Sequence, residues 1–155
     1  MSEQKRKSHN RSILMYHIVC PSKYRKVIFS DEVDVVLKKV CLEISDRYEI
    51  DFLEIGVDKD HVHFLVQSVP MYSPTKIVRT IKSITAREIF SRVPEVKKQL
   101  WGGEFWSKAY YVSTVGKHGD EQKIANYVRN QGAGKNYKIL HQQMSKLGQM
   151  DLSDY

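Results

Sequence analysis

Cysteine is scarce in this 155-residue chain, which has two, Cys20 and Cys41. A small domain stapled by a disulfide framework is thereby excluded, and buried or idle thiols are expected. No run of about 18 apolar residues occurs, which rules out a membrane-spanning helix. The polar stretch from Met1 to Arg11 lacks the apolar centre of a secretory signal, so the chain reads as cytosolic. Internal repeats and low-complexity tracts are absent as well. Acidic charge is in short supply: 18 Asp and Glu stand against 25 Lys and Arg, for a net charge of +7. That deficit favours polyanionic partners, nucleic acid ahead of an anionic membrane. What remains is ordinary globular material, 41% hydrophobic and 28% charged. Its length suits one domain of about 100–150 residues.

Residues 1–11 carry Lys5, Arg6, Lys7 and Arg11 with almost nothing apolar. They are a solvated tail or a basic arm whose Lys5, Arg6 and Arg11 contact phosphates. The domain proper is expected over 12–132. Ser12 to Val19 is a short apolar run bounded by Pro21 and predicts a buried strand. Ser30 or Asp31 can cap a helix whose apolar residues Val33, Val36, Leu37, Val40 and Ile44 recur every three or four positions up to about Arg47. Asp51 to Val57 and His61 to Ser68 flank the polar link Asp58-Lys59-Asp60 and predict an antiparallel hairpin. Ser73 as N-cap with Pro74 behind it opens a second helix striped by Ile77, Ile81, Ile84 and Ile89.

Gly102-Gly103 marks a turn, and Phe105 to Val115, rich in Tyr, Trp and Val, predicts a strand. A last helix, about 120–131, has Asp120 as cap, Ile124 and Val128 toward the core and Gly132 as its C-terminal stop. Beyond the Gly132-Ala133-Gly134-Lys135 hinge, 133–155 reads as a polar tail in which Leu140, Met144 and Leu147 suit one short amphipathic helix. The order βαββαβ is that of an α+β, ferredoxin-like (RRM-like) antiparallel sheet with helices on one face, followed here by one more helix.

The sharpest local feature is Asp60-His61-Val62-His63-Phe64-Leu65-Val66. Side chains alternate across a strand, so His61 and His63 project to one face while Val62, Phe64 and Val66 project to the other. Two such imidazoles can bind one divalent metal ion if a third ligand comes from elsewhere; otherwise they are surface or core histidines. Tyr127 and Gln131, four residues apart, share one face of the last helix. They are either a nucleophile and an oxygen donor, or a core-edge tyrosine and a solvated glutamine, and spacing alone favours the second reading. Lys76, Arg79, Lys82 and Arg87 lie mostly off the isoleucine stripe, as a phosphate track or a solvated face. Trp101, Phe105, Trp106, Tyr110 and Tyr111 divide between base-stacking platforms and core.

The strand motif resembles the HUH motif (His, hydrophobic, His) of nucleases that cut single-stranded DNA. Tyr127-Val128-Arg129-Asn130-Gln131 resembles the tyrosine helix of the single-tyrosine transposases. Further stretches are similar to the same small bacterial and archaeal insertion-sequence transposases of the TnpA type: Tyr16-His17-Ile18-Val19, Lys23-Tyr24-Arg25, Ser73-Pro74 with Lys76-Ile77-Val78-Arg79, and Leu100-Trp101-Gly102-Gly103 through Phe105-Trp106. The resemblance covers nearly the whole chain. One departure is Lys59, where members usually carry proline before the Asp-His-Val-His run, and it alters the turn.

The resemblance implies His61, His63 and Gln131 as ligands of Mg²⁺ or Mn²⁺ and Tyr127 as the nucleophile. It further implies binding to hairpins at mobile-element ends in single-stranded DNA, cleavage through a 5′-phosphotyrosine, rejoining of strands, and a homodimer whose tyrosine helix can complete the partner's histidine site. The competing readings are a non-catalytic ferredoxin-like nucleic-acid-binding module, a domesticated transposase-like endonuclease, and a phosphoesterase that uses water.

Overall fold

In the computed structural model, the described residues are 5–6 and 11–12 as backbone, and 14–116, 125–126 and 128–129 in full. Two two-residue strands, β1 (Lys5–Arg6) and β2 (Arg11–Ser12), pair antiparallel within the N-terminal arm. The apolar run beginning at Leu14 then forms β3 (Leu14–Pro21). Helix α1 (Asp31–Arg47) starts where Ser30 Oγ accepts the Val33 N–H at 3.3 Å, and Asp31, Glu32 and Asp34 place negative charge at the positive end of the helix dipole. Strands β4 (Asp51–Val57) and β5 (His61–Ser68) form the expected hairpin. Helix α2 (Pro74–Arg92) is opened by Ser73, whose Oγ accepts the Lys76 N–H at 3.0 Å. A six-residue helix, α3 (Pro94–Gln99), follows, which the sequence pattern did not announce. The last strand is β6 (Tyr111–Thr114).

The main sheet runs β4-β5-β3-β6, every neighbour antiparallel. This is the split βαβ arrangement the element order predicts. Tyr16, Ile18 and Cys20 of β3, Phe52 and Ile55 of β4, and Val62, Phe64 and Val66 of β5 face α1 and α2. There they meet Val33, Leu37, Val40 and Ile44 from α1 and Ile77, Ile81, Ile84 and Ile89 from α2. Both cysteines are buried and unbonded to each other, and burial pushes the Cys20 thiol up to about 12.

The strand expected over Phe105–Val115 is shorter than predicted: its continuous ladder runs over Tyr111–Thr114, and Trp106 keeps only an isolated antiparallel bridge to Ser22. Phe105 and Trp106, 1% and 6% exposed, pack under α2, where the Trp106 indole N–H donates to Thr85 Oγ1 at 2.9 Å. Gly102 and Gly103, with φ of 89° and 73°, make the preceding turn in a region that side chains disfavour. Asp120, Ile124, Gly132 and the 133–155 tail lie outside the described residues.

Candidate active site on the open face of the sheet

The face of the sheet away from α1 and α2 is built by strand parity. His61, His63, Leu65 and Gln67 come from β5, and Met15, His17 and Val19 from β3. Cross-strand partners confirm the register: Val19 stands opposite His63, and Leu65 opposite His17. An irregularity between Phe52 and Glu54 in β4 adds one residue to that strand, so Leu53 and Glu54 both reach this face, and Glu54 pairs with Leu65. Met15, Leu53 and Leu65 form a small apolar cluster here with Ala125.

Residues 125, 126, 128 and 129 are helical, and Ala125 and Val128 are buried. The Arg129 guanidinium reaches the wholly buried Glu54 carboxylate at 3.2 Å. The residues on either side of position 127 are therefore seated on the histidine face. Tyr127 and Gln131 themselves lie outside the described residues.

His61 and His63 are brought together, with ring centroids 5.0 Å apart and planes at 68°. Each ring has a partner behind it. His61 Nδ1 lies 2.8 Å from Asp60 Oδ1, and Asp60 in turn accepts from Arg25 Nε at 3.0 Å. The His61 hydrogen bond first, and Arg25 second, hold the Asp60 carboxyl below its ordinary range. Arg25 reaches Asp60 from a strained turn, since Tyr24 and Arg25 have φ of 57° and 53° without being glycine. That turn is held by Ser22, whose Oγ donates to the Lys26 carbonyl at 2.7 Å, and by the Lys23 N–H, which donates to Phe105 O at 2.8 Å.

Behind His63, Nδ1 meets His17 Nε2 at 3.0 Å, the two rings being nearly parallel at 12°. Burial, then the neighbouring His17 and His61, lower His63 to about 4, and burial lowers His17 as well. The pair is thus neutral at physiological pH, the form in which imidazole ligates a metal. Among the described residues no group of three His, Cys, Asp or Glu side chains is disposed to hold a metal ion. His61 and His63 supply two donors of a type that suits divalent ions, and a third must come from another residue type or another segment.

The predicted DNA contacts lie elsewhere. In α2, which packs on the opposite face of the sheet, Arg79 and Arg87 are exposed, Lys76 Nζ sits 4.5 Å from the Tyr72 ring centroid, and Arg87 also pairs with Glu88 at 3.5 Å. Lys82 is otherwise engaged. Its Nζ donates to the carbonyls of Ser107 and Ala109 at 2.7 and 3.1 Å, beside the Tyr110 ring. A groove of about 540 Å³ between α2 and the loop before β6 is lined by Arg79, Lys82, Lys108 and Tyr110. Lys5 and Arg6 are in β1, and Arg11 in β2, with Arg6 opposite Arg11.

Of the aromatics, Phe105 and Trp106 are core, whereas Trp101 is 83%, Tyr110 41% and Tyr111 57% exposed. Tyr111 stands on the histidine face, edge-on to His17 with centroids 6.0 Å apart. Sequence reasoning assigned no role to His17, Arg25, Glu54 or Arg129. A usable signal existed for His17, the one imidazole in an apolar strand; a left-handed turn of non-glycine residues and a strand bulge give none.

Comparison with known proteins gives the family and the fold. Residues 10–131 match the family model described as "Transposase IS200 like". The chain is similar to the ISDra2 transposase TnpA of Deinococcus radiodurans, 31% identical over 118 residues, which cover 76% of this chain and 84% of that one. It is similar also to the transposase for insertion sequence element IS200 of Salmonella typhimurium, 30% identical over 84% of this chain and 85% of that one. A transposase crystal structure from Deinococcus radiodurans R1 superposes with a TM-score of 0.67 at 32% identity, over 84% of this chain and 99% of that one. The fold, though not the sequence at 13% identity, is shared with a REP-associated tyrosine transposase bound to a REP hairpin, with a TM-score of 0.54 over 100% of this chain and 80% of that one. No helix among the described residues is long and apolar enough to cross a membrane.

Proposed function

The chain belongs to the IS200-like transposase family, and from that premise we propose a metal-dependent enzyme that acts on hairpins at mobile-element ends in single-stranded DNA. It cuts by tyrosine attack and rejoins the strands. The observation that carries the reading is the seating of the helical residues around position 127 on the same sheet face as His61 and His63. The fold relative is bound to a REP hairpin, which supports a hairpin as the structured ligand here.

In this reading Tyr127 is the nucleophile and Gln131 joins His61 and His63 as the third metal ligand. A Mg²⁺ or Mn²⁺ ion, when bound, supplies polarisation of the scissile phosphate and neutralises its developing charge. The Tyr127 phenolic oxygen attacks phosphorus and gives up its proton, which answers the weakness of a hydroxyl whose ordinary pKa is about 10. The bond from phosphorus to the 3′ oxygen breaks, and that oxygen leaves as a 3′ hydroxyl after taking a proton. The downstream DNA stays on Tyr127 through its 5′ phosphate. Attack on this ester by another 3′ hydroxyl restores the phosphodiester and frees the tyrosine, so no nucleotide cofactor is consumed.

Asp60 orients His61, and the hydrogen bond keeps the ligating nitrogen at Nε2. Lys76, Arg79 and Arg87, with Lys5, Arg6 and Arg11 of the arm, neutralise hairpin phosphates. Lys82 contributes through the loop it holds beside them. Tyr111 offers a stacking surface for an unpaired base on the histidine face. The active unit is a homodimer in which the tyrosine helix serves its own or the partner's histidine pair, in the cytoplasm of a prokaryotic cell.

The test uses end-labelled single-stranded hairpin DNA from verified element ends, with Mn²⁺ or EDTA, resolved on denaturing protein gels. The expected result is an SDS-resistant adduct carrying the downstream DNA. It disappears in EDTA and in Tyr127→Phe, which still binds the hairpin. Binding with no adduct would favour a non-catalytic module, and hydrolysed ends with no adduct would assign the attack to water.

A further inference from the structure

We infer that His17 is a positioning residue that holds His63 as the Nδ1–H tautomer and so keeps the His63 Nε2 lone pair directed at a metal ion. The inference rests on the reading of His61 and His63 as metal ligands, and it begins from the 3.0 Å contact between His17 Nε2 and His63 Nδ1. Val19 stands opposite His63, so His17, two residues earlier on the same strand face, is its diagonal neighbour, a separation that long side chains bridge. The rings lie at 12° to one another with centroids 5.3 Å apart, so an N–H of one points in plane at the lone pair of the other.

Both rings are buried, 8% and 5% exposed, and an imidazole that ligates a metal is neutral, so His63 carries one proton. Exactly one of the two facing nitrogens is then the donor. If His17 Nε2 donates, the single proton of His63 is on Nε2 and no lone pair is left for a metal. If His63 Nδ1 donates, His17 Nε2 is the acceptor and His63 Nε2 is free of its proton. Nδ1 cannot serve as the alternative ligand atom, because His17 occupies its in-plane direction. The arrangement does for His63 what the Asp60 carboxylate does for His61, with a neutral acceptor in place of a charged one.

The experiment compares the full chain with His17→Gln, whose side-chain oxygen can accept from His63 Nδ1, and His17→Leu, which cannot. Long-range ¹H–¹⁵N spectra of the metal-free proteins read the His63 tautomer, and the electron paramagnetic resonance signal of free Mn²⁺ reads affinity. We expect Nδ1–H at His63 in the wild type and His17→Gln, a shift toward Nε2–H in His17→Leu, and Mn²⁺ affinity about tenfold to a hundredfold weaker in His17→Leu. His17→Gln should stay within about threefold of wild type, a rescue that mere loss of packing would not give. A predominantly Nε2–H His63 in the wild type would overturn the inference. So would a His17→Leu protein with unchanged tautomer and affinity. If His63 is Nδ1–H but Mn²⁺ does not bind the wild type, the positioning stands and the metal reading fails. Should His17→Leu not fold, the wild-type spectrum and His17→Gln still decide.

Discussion

Neighbouring residues on β5 answer to opposite demands. Phe64 and Val66 face α1 and α2 and are fully buried among apolar side chains. His63, Gln67 and, across the hairpin, Glu54 face the other way and are nearly as buried, yet each is polar. A sheet face with no function needs no buried imidazole pair or buried carboxylate, since such groups lose their water and must find partners. The first face is where burial produces stability, and in the proposed function the second is where stability is given up for chemistry.

Exchanging the demands on adjacent residues should give the largest effect. His63→Ala is expected to lower adduct formation by about a hundredfold or more, at a smaller cost in unfolding free energy than Phe64→Ala. Phe64→Ala should cost about 3–5 kcal/mol of stability and leave the chemistry of the folded fraction intact. Denaturant titration beside the gel assay separates them, and a stable, inactive Phe64→Ala protein would break the comparison.

Burial of charge also occurs on the helix side, at Lys38 and Asp34 of α1, 3.0 Å apart with side chains 1% and 3% exposed. Lys38→Met alone should cost about 3–5 kcal/mol, because the Asp34 carboxylate loses its cation. The double replacement Asp34→Leu with Lys38→Met should recover most of that, which urea unfolding of the single and double variants would measure. Failure of the double variant to recover would mean that this pair has a role beyond structure.

The helix side was also the legible side. Apolar spacing together with Ser30, Ser73 and Pro74 announced α1 and α2 at their observed starts, because cap chemistry and periodicity are local. The histidine pair was legible for the same reason, since alternation within one strand puts His61 and His63 together. Everything that supports them was not. His17 lies 46 residues from His63 in sequence, Arg25 reaches Asp60 through a turn of unusual backbone, and Glu54 faces Arg129 because of a one-residue irregularity in β4. Such contacts follow from register and bulges, which residue patterns do not encode. The Phe105–Trp106 pair failed differently: its β-forming residues suit a strand, and tertiary packing overrode them.

The buried imidazoles give the open face a pH signature. His63 is lowered from 6.5 to about 4 in the folded chain. Between those values the unfolded chain binds a proton that the folded one does not, so its contribution to stability is complete above about pH 6.5 and is lost as pH falls toward 4. The loss should be on the order of 3 kcal/mol, and His17, shifted in the same direction, adds to it. Thermal unfolding of the metal-free protein from pH 7 to pH 4 measures this. His63→Phe should flatten the decline, and an unchanged slope would assign it to other groups.

The smallest expected effect concerns the contact that ties the helical residues to the open face. Arg129 is partly exposed whereas Glu54 is fully buried, and Arg129 Nη2 lies 3.2 Å from Glu54 Oε1. Arg129→Met should weaken the seating of that segment by about 1–3 kcal/mol, leaving the buried carboxylate without its guanidinium. The α1/α2 core does not depend on it, so global unfolding should move little, while amide exchange at 125 and 128 should rise in step with the lost free energy. If the wild-type segment already exchanges as freely as the variant, the Glu54 contact does not hold it and the two faces are less alike in rigidity than in burial. If exchange rises and adduct formation falls by a similar factor, seating on the histidine face is what places residue 127 for attack.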